Sequence, residues 1–145
     1  MATPIQLVFD TADPPGQAAF WAAALGYKLQ DPPDGFASWE DALRAWGVPQ
    51  ENWQDASAIV DPDGTGPRIF FQKVPEPKTA KNRLHMDLNV GGGQSVALTQ
   101  RKERVDAEVA RLKALGASDE RGAIERNDEY WVRMNDPEGN EFCVQ

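Results

Sequence analysis

The sequence predicts an α+β fold built from two βαβββ modules. Each half of the chain contains, in order, a strand pattern, a helix pattern and further strand patterns. Each helix pattern ends in Ala-Leu-Gly, at 24–26 and again at 114–116. Each last strand follows an Asp-Pro-acid-Gly turn, at 61–64 and at 136–139. Motifs that recur in the same order in both halves indicate an internal repeat.

Length and charge limit what the protein does. The 145 residues suit a single domain, with module one over about residues 1–78 and module two over about 82–145. The net charge of −8 argues against nucleic acid or an anionic membrane surface as a partner. No apolar run reaches the roughly 20 residues of a membrane span, and no signal pattern opens the chain. We therefore expect a soluble, cytoplasmic protein, without a disulfide because Cys143 is the single cysteine.

The first module begins with a strand over 5–10, in which Leu7 and Phe9 share one face. Asp13 is a suitable N-cap for a helix that starts at Pro14 and ends before Gly26. A short strand at 27–29 follows. Ser38 is placed to cap a second, short helix, and strands are predicted over 55–60 and 69–74.

The second module begins with alternation over 84–90, which places His85 and Asp87 on one face and Leu84, Met86 and Leu88 on the other. A helix is predicted over 101–115, because its apolar residues recur at helical spacing. Strands are predicted over 130–134 and 141–145.

These elements together resemble the vicinal oxygen chelate superfamily, which holds glyoxalases, extradiol dioxygenases and bleomycin-resistance proteins. The features that carry the resemblance are Asp13-Pro14 after the first strand, the helix with Phe20-Trp21 that ends at Leu25-Gly26-Tyr27, the restart at 84–88, and Asp-Pro-Glu-Gly-Asn-Glu-Phe at 136–142. The stretch from 74 to 85 is similar to the glyoxalase-like subgroup. The resemblance implies that the mixed sheets of the two modules form a cup that holds a ligand.

The resemblance also implies four metal-ligand positions on the inner face of the cup. They fall on Gln6, Gln72, His85 and Cys143, and only His85 matches the ligand that the superfamily usually has at that position. A glutamine oxygen brings no charge to offset the dehydration of an ion. We therefore predict no metal and no other cofactor. Were a metal bound, His85 and Glu141, with Asp87 as a further candidate, are the residues expected to hold it.

The predicted ligand-binding residues are polar groups and tryptophans: Gln6, Gln72, His85, Cys143, Trp39, Trp46 and Trp131. Tryptophans beside a cup suit stacking on a flat ligand, and Trp53 lies in the same insertion as Trp39 and Trp46. The alternative for each is structural. The glutamines could bond each other, the histidine could be satisfied by a neighbour, and the tryptophans could cover apolar surface or a dimer contact.

The sequence is compatible with three functions. The first is a metal-independent, small-molecule-binding protein of the glyoxalase-like kind. The second is a divalent-metal enzyme of the same superfamily, a lyase, isomerase or dioxygenase, whose metal acts as a Lewis acid. The third is a non-catalytic interaction module. The tryptophan-bearing insertion predicts apolar surface that needs cover, and hence a homodimer. The residues leave open whether any reaction is catalysed.

Overall fold

A computed structural model describes residues 1–145 and divides the chain into two compact units, Met1–Pro77 and Lys78–Gln145. Each unit contains one four-stranded mixed sheet and begins with a strand followed by a helix. The predicted α+β class with a repeated βαβββ order is confirmed. None of the three α-helices has the length and apolar character that a membrane crossing requires.

The first unit contains β1 to β4 and two α-helices. Its elements are β1 (Leu7–Thr11), α1 (Pro14–Leu25), β2 (Lys28–Leu29), α2 (Trp39–Ala45), a 3₁₀ turn (Gln50–Asn52), β3 (Ala56–Val60) and β4 (Ile69–Lys73). The strand order is β1-β4-β3-β2, with β1 parallel to β4 and the other pairs antiparallel.

The second unit repeats this topology with one helix. Its elements are β5 (Asp87–Leu88), α3 (Leu98–Ala114), β6 (Ala123–Arg126), β7 (Glu129–Asn135) and β8 (Glu141–Val144). The strand order is β5-β8-β7-β6, and again the first and last strands are parallel neighbours. Each strand of the second unit therefore has a counterpart in the first.

Helix α1 forms where its capping residues predict. The Asp13 carboxylate accepts a hydrogen bond from the Gly16 amide at 3.2 Å, which satisfies one of the free donors of the first turn. Gly26 ends the helix in the left-handed conformation, at φ 70°. The helix buries Trp21 against Phe9, with ring centroids 5.5 Å apart, on one face of the first sheet. Helix α1 does not cover the opposite face of that sheet.

The repeated Asp-Pro turns are structural in both units. The Asp136 carboxylate is buried and accepts hydrogen bonds from the amides of Glu138 and Asn140 and from the Asn140 side chain. Asp61 accepts from the amides of Asp63, Thr65 and Gly66 in the same way. These amide bonds lower the pKa of Asp61 to about 2, so it stays ionised. The motif therefore stabilises the turn before the last strand of each unit and does not form a catalytic site.

Two elements differ from the sequence prediction. The strand expected over 84–90 is reduced to β5, and Leu84, expected on the same face as Met86 and Leu88, is 68% exposed. The reason is that β8 supplies register partners only to Asp87 and Leu88. The sequence pattern also predicts no strand at β6. A two-residue turn with Asn127 and Asp128 both at positive φ (55° and 59°) joins β6 to β7, the geometry of a tight hairpin.

Candidate functional site

The open face of the first sheet carries the residues that alternate with the core residues. Phe71 packs against Phe9, with centroids 5.3 Å apart, on the side that faces α1. Since neighbouring side chains on a strand point to opposite faces, Phe70 lies on the other side of β4, as do Arg68 just before it and Gln72 within it. In β3, Ala58 pairs with Phe70 on this open face.

The connection from β2 to β3, residues 30–55, folds over this face and encloses a cavity of about 280 Å³. Helix α2 and the 3₁₀ turn lie within that connection. The walls are mostly apolar, formed by Ala56, Ala58 and Phe70 from the sheet and by Trp39, Leu43 and Trp53 from the connection. A cavity with these walls is suited to an apolar or aromatic group.

Hydrogen bonds to backbone carbonyls fix both tryptophans in the cavity wall. Trp39 Nε1 donates to the Gln30 carbonyl at 2.7 Å, and Trp53 Nε1 donates to the Val48 carbonyl at 2.9 Å. With their only polar atom satisfied, the indole rings present apolar faces in a set orientation. The walls are thus in place before any ligand arrives.

Trp46 supports the wall without forming part of it. Its ring lies 6.4 Å from that of Trp39 and 5.9 Å from that of Phe36, in edge-to-face arrangements, and it is 54% exposed. Of the tryptophans predicted to bind ligand, Trp39 lines the cavity of the first unit and Trp46 packs behind it.

Arg68 is the positively charged group in the cavity lining. Its Nε donates to the Gln30 side-chain oxygen and its Nη1 to the Gln6 side-chain oxygen, each at 2.7 Å. The guanidinium carbon lies 5.3 Å from the centre of the Phe70 ring. Gln6 therefore orients Arg68, whereas Gln72 donates to Asp10 at 2.8 Å. The two glutamines do not bond each other, which was the structural alternative for them.

In the second unit, His85, Asp87 and Cys143 form a cluster. Their ligand atoms all lie within 4.8 Å of one another, and His85 Nε2 is 3.5 Å from an Asp87 carboxylate oxygen. Asp87 faces Cys143 directly across the β5–β8 pair. The sequence alternation of 85 and 87, together with this register, brings the three side chains to one face.

The chemistry of the cluster favours a soft ion over a hard one. Three ligand atoms and a water complete the coordination of a zinc ion of the catalytic type. Magnesium, calcium and manganese prefer several oxygen ligands, and the cluster has one carboxylate. Burial and the charge of Asp87 raise the pKa of the Cys143 thiol, which must lose its proton before it ligates an ion. The residues therefore fit zinc and do not fit a hard divalent ion.

Glu141 is engaged elsewhere. Its carboxylate accepts a hydrogen bond from the Asn82 amide at 2.9 Å and pairs with Lys78 Nζ at 3.1 Å. Burial opposes its ionisation, but the Asn82 amide and Lys78 outweigh that effect and lower the pKa of Glu141 to about 2. This carboxylate ties the connector at the start of the second unit to β8 and is not a member of the His85 cluster.

Trp131 lies beside a second, more polar cavity of about 210 Å³ in the second unit. The triglycine at 91–93 and Arg101 also line it. The Arg101 guanidinium is occupied, since it donates to the Val96 carbonyl and to Asp128. This cavity has Tyr130 and Trp131 in its lining, but it lacks the available cation of the first.

Sequence reasoning missed Arg68, Gln30 and Phe70, and did not select Trp53 as a site residue. Arg68 and Phe70 alternate with the core residues Ile69 and Phe71. That period of two was the available signal, and it predicts that both lie on the open face of the sheet. Gln30 and Trp53 have no comparable signal, because they lie in an irregular connection whose path depends on packing.

Comparisons with known proteins bear on the fold. A family model described as glyoxalase-like domain matches residues 6–145. No curated protein matches the chain. A possible glyoxalase from Bacillus cereus is 16% identical with a TM-score of 0.59, covering 100% of this chain and 99% of that one.

Two structures of named activity are similar in fold. A variant of the fosfomycin resistance protein FosX from Listeria monocytogenes, complexed with Mn(II) and 1S,2S-dihydroxypropylphosphonic acid, is 14% identical with a TM-score of 0.61, covering 100% of this chain and 90% of that one. A lactoylglutathione lyase from Agrobacterium tumefaciens is 12% identical with a TM-score of 0.55, covering 99% and 92%. At these identities the likeness is one of fold.

Proposed function

The chain belongs to the glyoxalase-like domain family of the vicinal oxygen chelate superfamily, and we propose that it binds a small organic molecule with a flat, apolar part in the cavity of its first unit. The observation that carries this proposal is the cavity of about 280 Å³ enclosed between the open face of the sheet and the tryptophan-bearing connection. Its volume is near the lower end of small-molecule sites, which begin at about 300 Å³.

The arrangement of the aromatic side chains supports a flat ligand. Trp39 and Trp53 approach from the connection and Phe70 from the sheet, so rings border the cavity on two sides. Both indoles are held by hydrogen bonds, so little side-chain entropy is lost when a ligand binds. Such preorganisation favours stacking on a planar group.

We also propose that this binding needs no metal ion. The cavity lining in the first unit has one possible metal ligand of the usual kinds, Asp55, which pairs with Lys73 at 3.6 Å. The cluster of His85, Asp87 and Cys143 belongs to the second unit. Contacts in the cavity are therefore apolar contacts and hydrogen bonds from the chain itself.

A second candidate function, a zinc-dependent enzyme, is favoured by that cluster. His85, Asp87 and Cys143 are the residues that would hold the ion, and zinc bound there supplies Lewis-acid polarisation of a ligand oxygen. Against it stands the raised pKa of the Cys143 thiol, caused by burial and Asp87, because the thiol must lose its proton before it ligates an ion.

Calorimetric titration with 2-naphthamide, a neutral two-ring probe, tests the first proposal. We expect saturable binding that the Ala56→Phe substitution abolishes, because Ala56 lines the cavity and is exposed on its strand. Ala110→Phe, the same substitution on the exposed face of α3 in the second unit, is the matched control and should bind normally. Equal affinities of the two variants for 2-naphthamide would show that the probe does not bind in this cavity.

Elemental analysis of protein purified without chelators separates the two candidates. We expect zinc, iron and manganese to total well below one ion per chain, before and after His85→Ala. Asn89→Ala, which lies farther along the same polar face, is the control. One ion per chain that is lost only in the His85 variant would favour the zinc enzyme instead.

A further inference from the structure

The guanidinium of Arg68 has hydrogen-bond donors that the protein does not use. A guanidinium has five N–H donors, and here Nε and Nη1 each donate one hydrogen bond, to Gln30 and Gln6. Nη2 makes no hydrogen bond, so three donors remain without a protein acceptor. The group is half-buried and lines the cavity together with Phe70.

The charge of Arg68 is also without a counter-ion. Other arginines of the chain that pair with acids do so at short distance, as Arg44 does with Asp41 and Arg111 with Glu108. Arg68 instead contacts two neutral amides and an aromatic ring. A half-buried cation without a carboxylate favours an anion, because the apolar walls screen the attraction less than bulk water does.

The acid in the lining does not neutralise it. Asp55 pairs with Lys73, and the Lys73 amide donates to the Asp55 carbonyl across the strands. Arg68 and Lys73 stand at opposite ends of β4, roughly 17 Å apart along the strand at about 3.3 Å per residue. The two ends of the cavity therefore differ in charge: the Asp55 end is neutralised and the Arg68 end is positive.

The geometry of Arg68 is fixed before a ligand binds. Gln30 and Gln6 hold the guanidinium from two sides, and Phe70 lies beneath it at 5.3 Å. Gln30 is itself positioned by the connection, since its carbonyl accepts the Trp39 indole N–H. The same residue thus links the aromatic wall to the cation, which sets the position of an anionic group relative to a stacked ring.

From these contacts we infer that the ligand of the cavity is an aromatic carboxylate, with its ring between the tryptophans and Phe70 and its carboxylate on the free N–H groups of Arg68. A planar carboxylate matches the planar donor edge of a guanidinium. This inference rests on the proposed function and adds the chemical class of the ligand to it.

The test compares 2-naphthoate with the neutral probe 2-naphthamide, by calorimetric titration at pH 7 in low salt. The wild-type chain should bind the carboxylate at least about tenfold more tightly than the amide, as expected for a charge-assisted pair. Arg68→Gln should bring the two affinities together at the level of the amide. Arg126→Gln, the same change at an exposed arginine of the second unit, should leave the preference intact.

Arg68→Lys is a second test variant, because it retains the positive charge but removes the planar donor edge of the guanidinium. We expect a reduced preference for the carboxylate that still exceeds that of Arg68→Gln. Equal affinity of the wild-type chain for both probes, or a preference that survives Arg68→Gln, would overturn the inference and leave the proposed function standing. Binding of neither probe, or binding insensitive to Ala56→Phe, would overturn the proposed function itself.

Discussion

The two units have the same strand order but differ in how they connect corresponding strands. In the first unit residues 30–55 join β2 to β3 and fold back over the sheet. In the second, Asn127 and Asp128 alone join β6 to β7. The first connection encloses an apolar cavity, whereas the second is too short to fold over its sheet. The topology therefore supplies an open sheet face, and the length of one connection decides whether that face becomes a pocket.

The two units also differ in the side chains that they present. The open face of the first sheet, over which residues 30–55 fold, presents aromatic rings and the cation of Arg68. The second unit presents the polar side chains of His85, Asp87 and Cys143, of which the first two are exposed. A cavity that excludes water suits apolar contacts, and a solvated polar face suits hydrogen bonds or an ion. Each of the following experiments tests one side of this contrast.

The largest effect concerns the core of the first unit, between α1 and its sheet. Trp21 is 1% exposed between α1 and the first sheet, and Trp21→Ala should lower the free energy of unfolding by about 3–5 kcal/mol. Trp46→Ala, at an exposed ring of the connection, should cost less than about 1.5 kcal/mol. Urea denaturation followed by circular dichroism measures both. Similar losses would mean that the connection belongs to the core rather than lying over it.

The next effect concerns where a ligand binds. Trp53→Ala removes a ring from the cavity wall and should weaken 2-naphthamide binding about tenfold. Trp131→Ala, the matched change in the second unit, should leave the affinity unchanged, because Trp131 lines a different cavity. Calorimetric titration of the two variants gives the answer. An equal loss in the Trp131 variant would show that binding is not confined to the first unit.

A smaller effect concerns how the second unit holds its last strand. The folded pKa of Glu141 is about 2, below its ordinary value of 4.5, so its stabilisation is complete above pH 4.5 and is lost as the pH falls towards 2. Glu141→Gln should cost about 1 kcal/mol at pH 7 and should flatten this acid dependence.

Urea denaturation between pH 2 and pH 7 measures that dependence. Glu120→Gln, at an exposed acid without a partner in the same unit, should behave like the wild-type chain. An unchanged acid profile in the Glu141 variant would show that the contacts to Asn82 and Lys78 do not stabilise the second unit.

The smallest effect concerns the polar cluster. Burial and Asp87 raise the pKa of the Cys143 thiol, so alkylation by iodoacetamide at pH 8 should be slow. Asp87→Asn removes the negative charge, lowers the pKa of the thiol and should speed the reaction severalfold. Cys143 is the single cysteine, which makes mass spectrometry of the intact chain a clean readout. A slower or equal rate in the variant would contradict the assigned role of Asp87.

Local chemistry explains which parts of the fold the sequence predicts. Asp13 and Gly26 mark the ends of α1, and Ser38 caps α2 by accepting from the Asp41 amide at 3.1 Å. The Asp-Pro turns form through bonds between residues close in the chain. Such signals act over a few residues, so a sequence displays them directly. The short β5 and the missed β6 depend instead on what a partner strand offers.

The candidate site divides in the same way. The sequence by itself determined the repeated module, the ends of α1, the single cysteine and the alternation that sets His85 and Asp87 on one face. Only the tertiary structure decided that residues 30–55 fold over the sheet, that the Trp39 indole N–H reaches the carbonyl of Gln30, and that Arg68 lines the cavity without a counter-ion. These facts depend on long-range packing and on the path of an irregular segment, and no periodicity in the sequence records either.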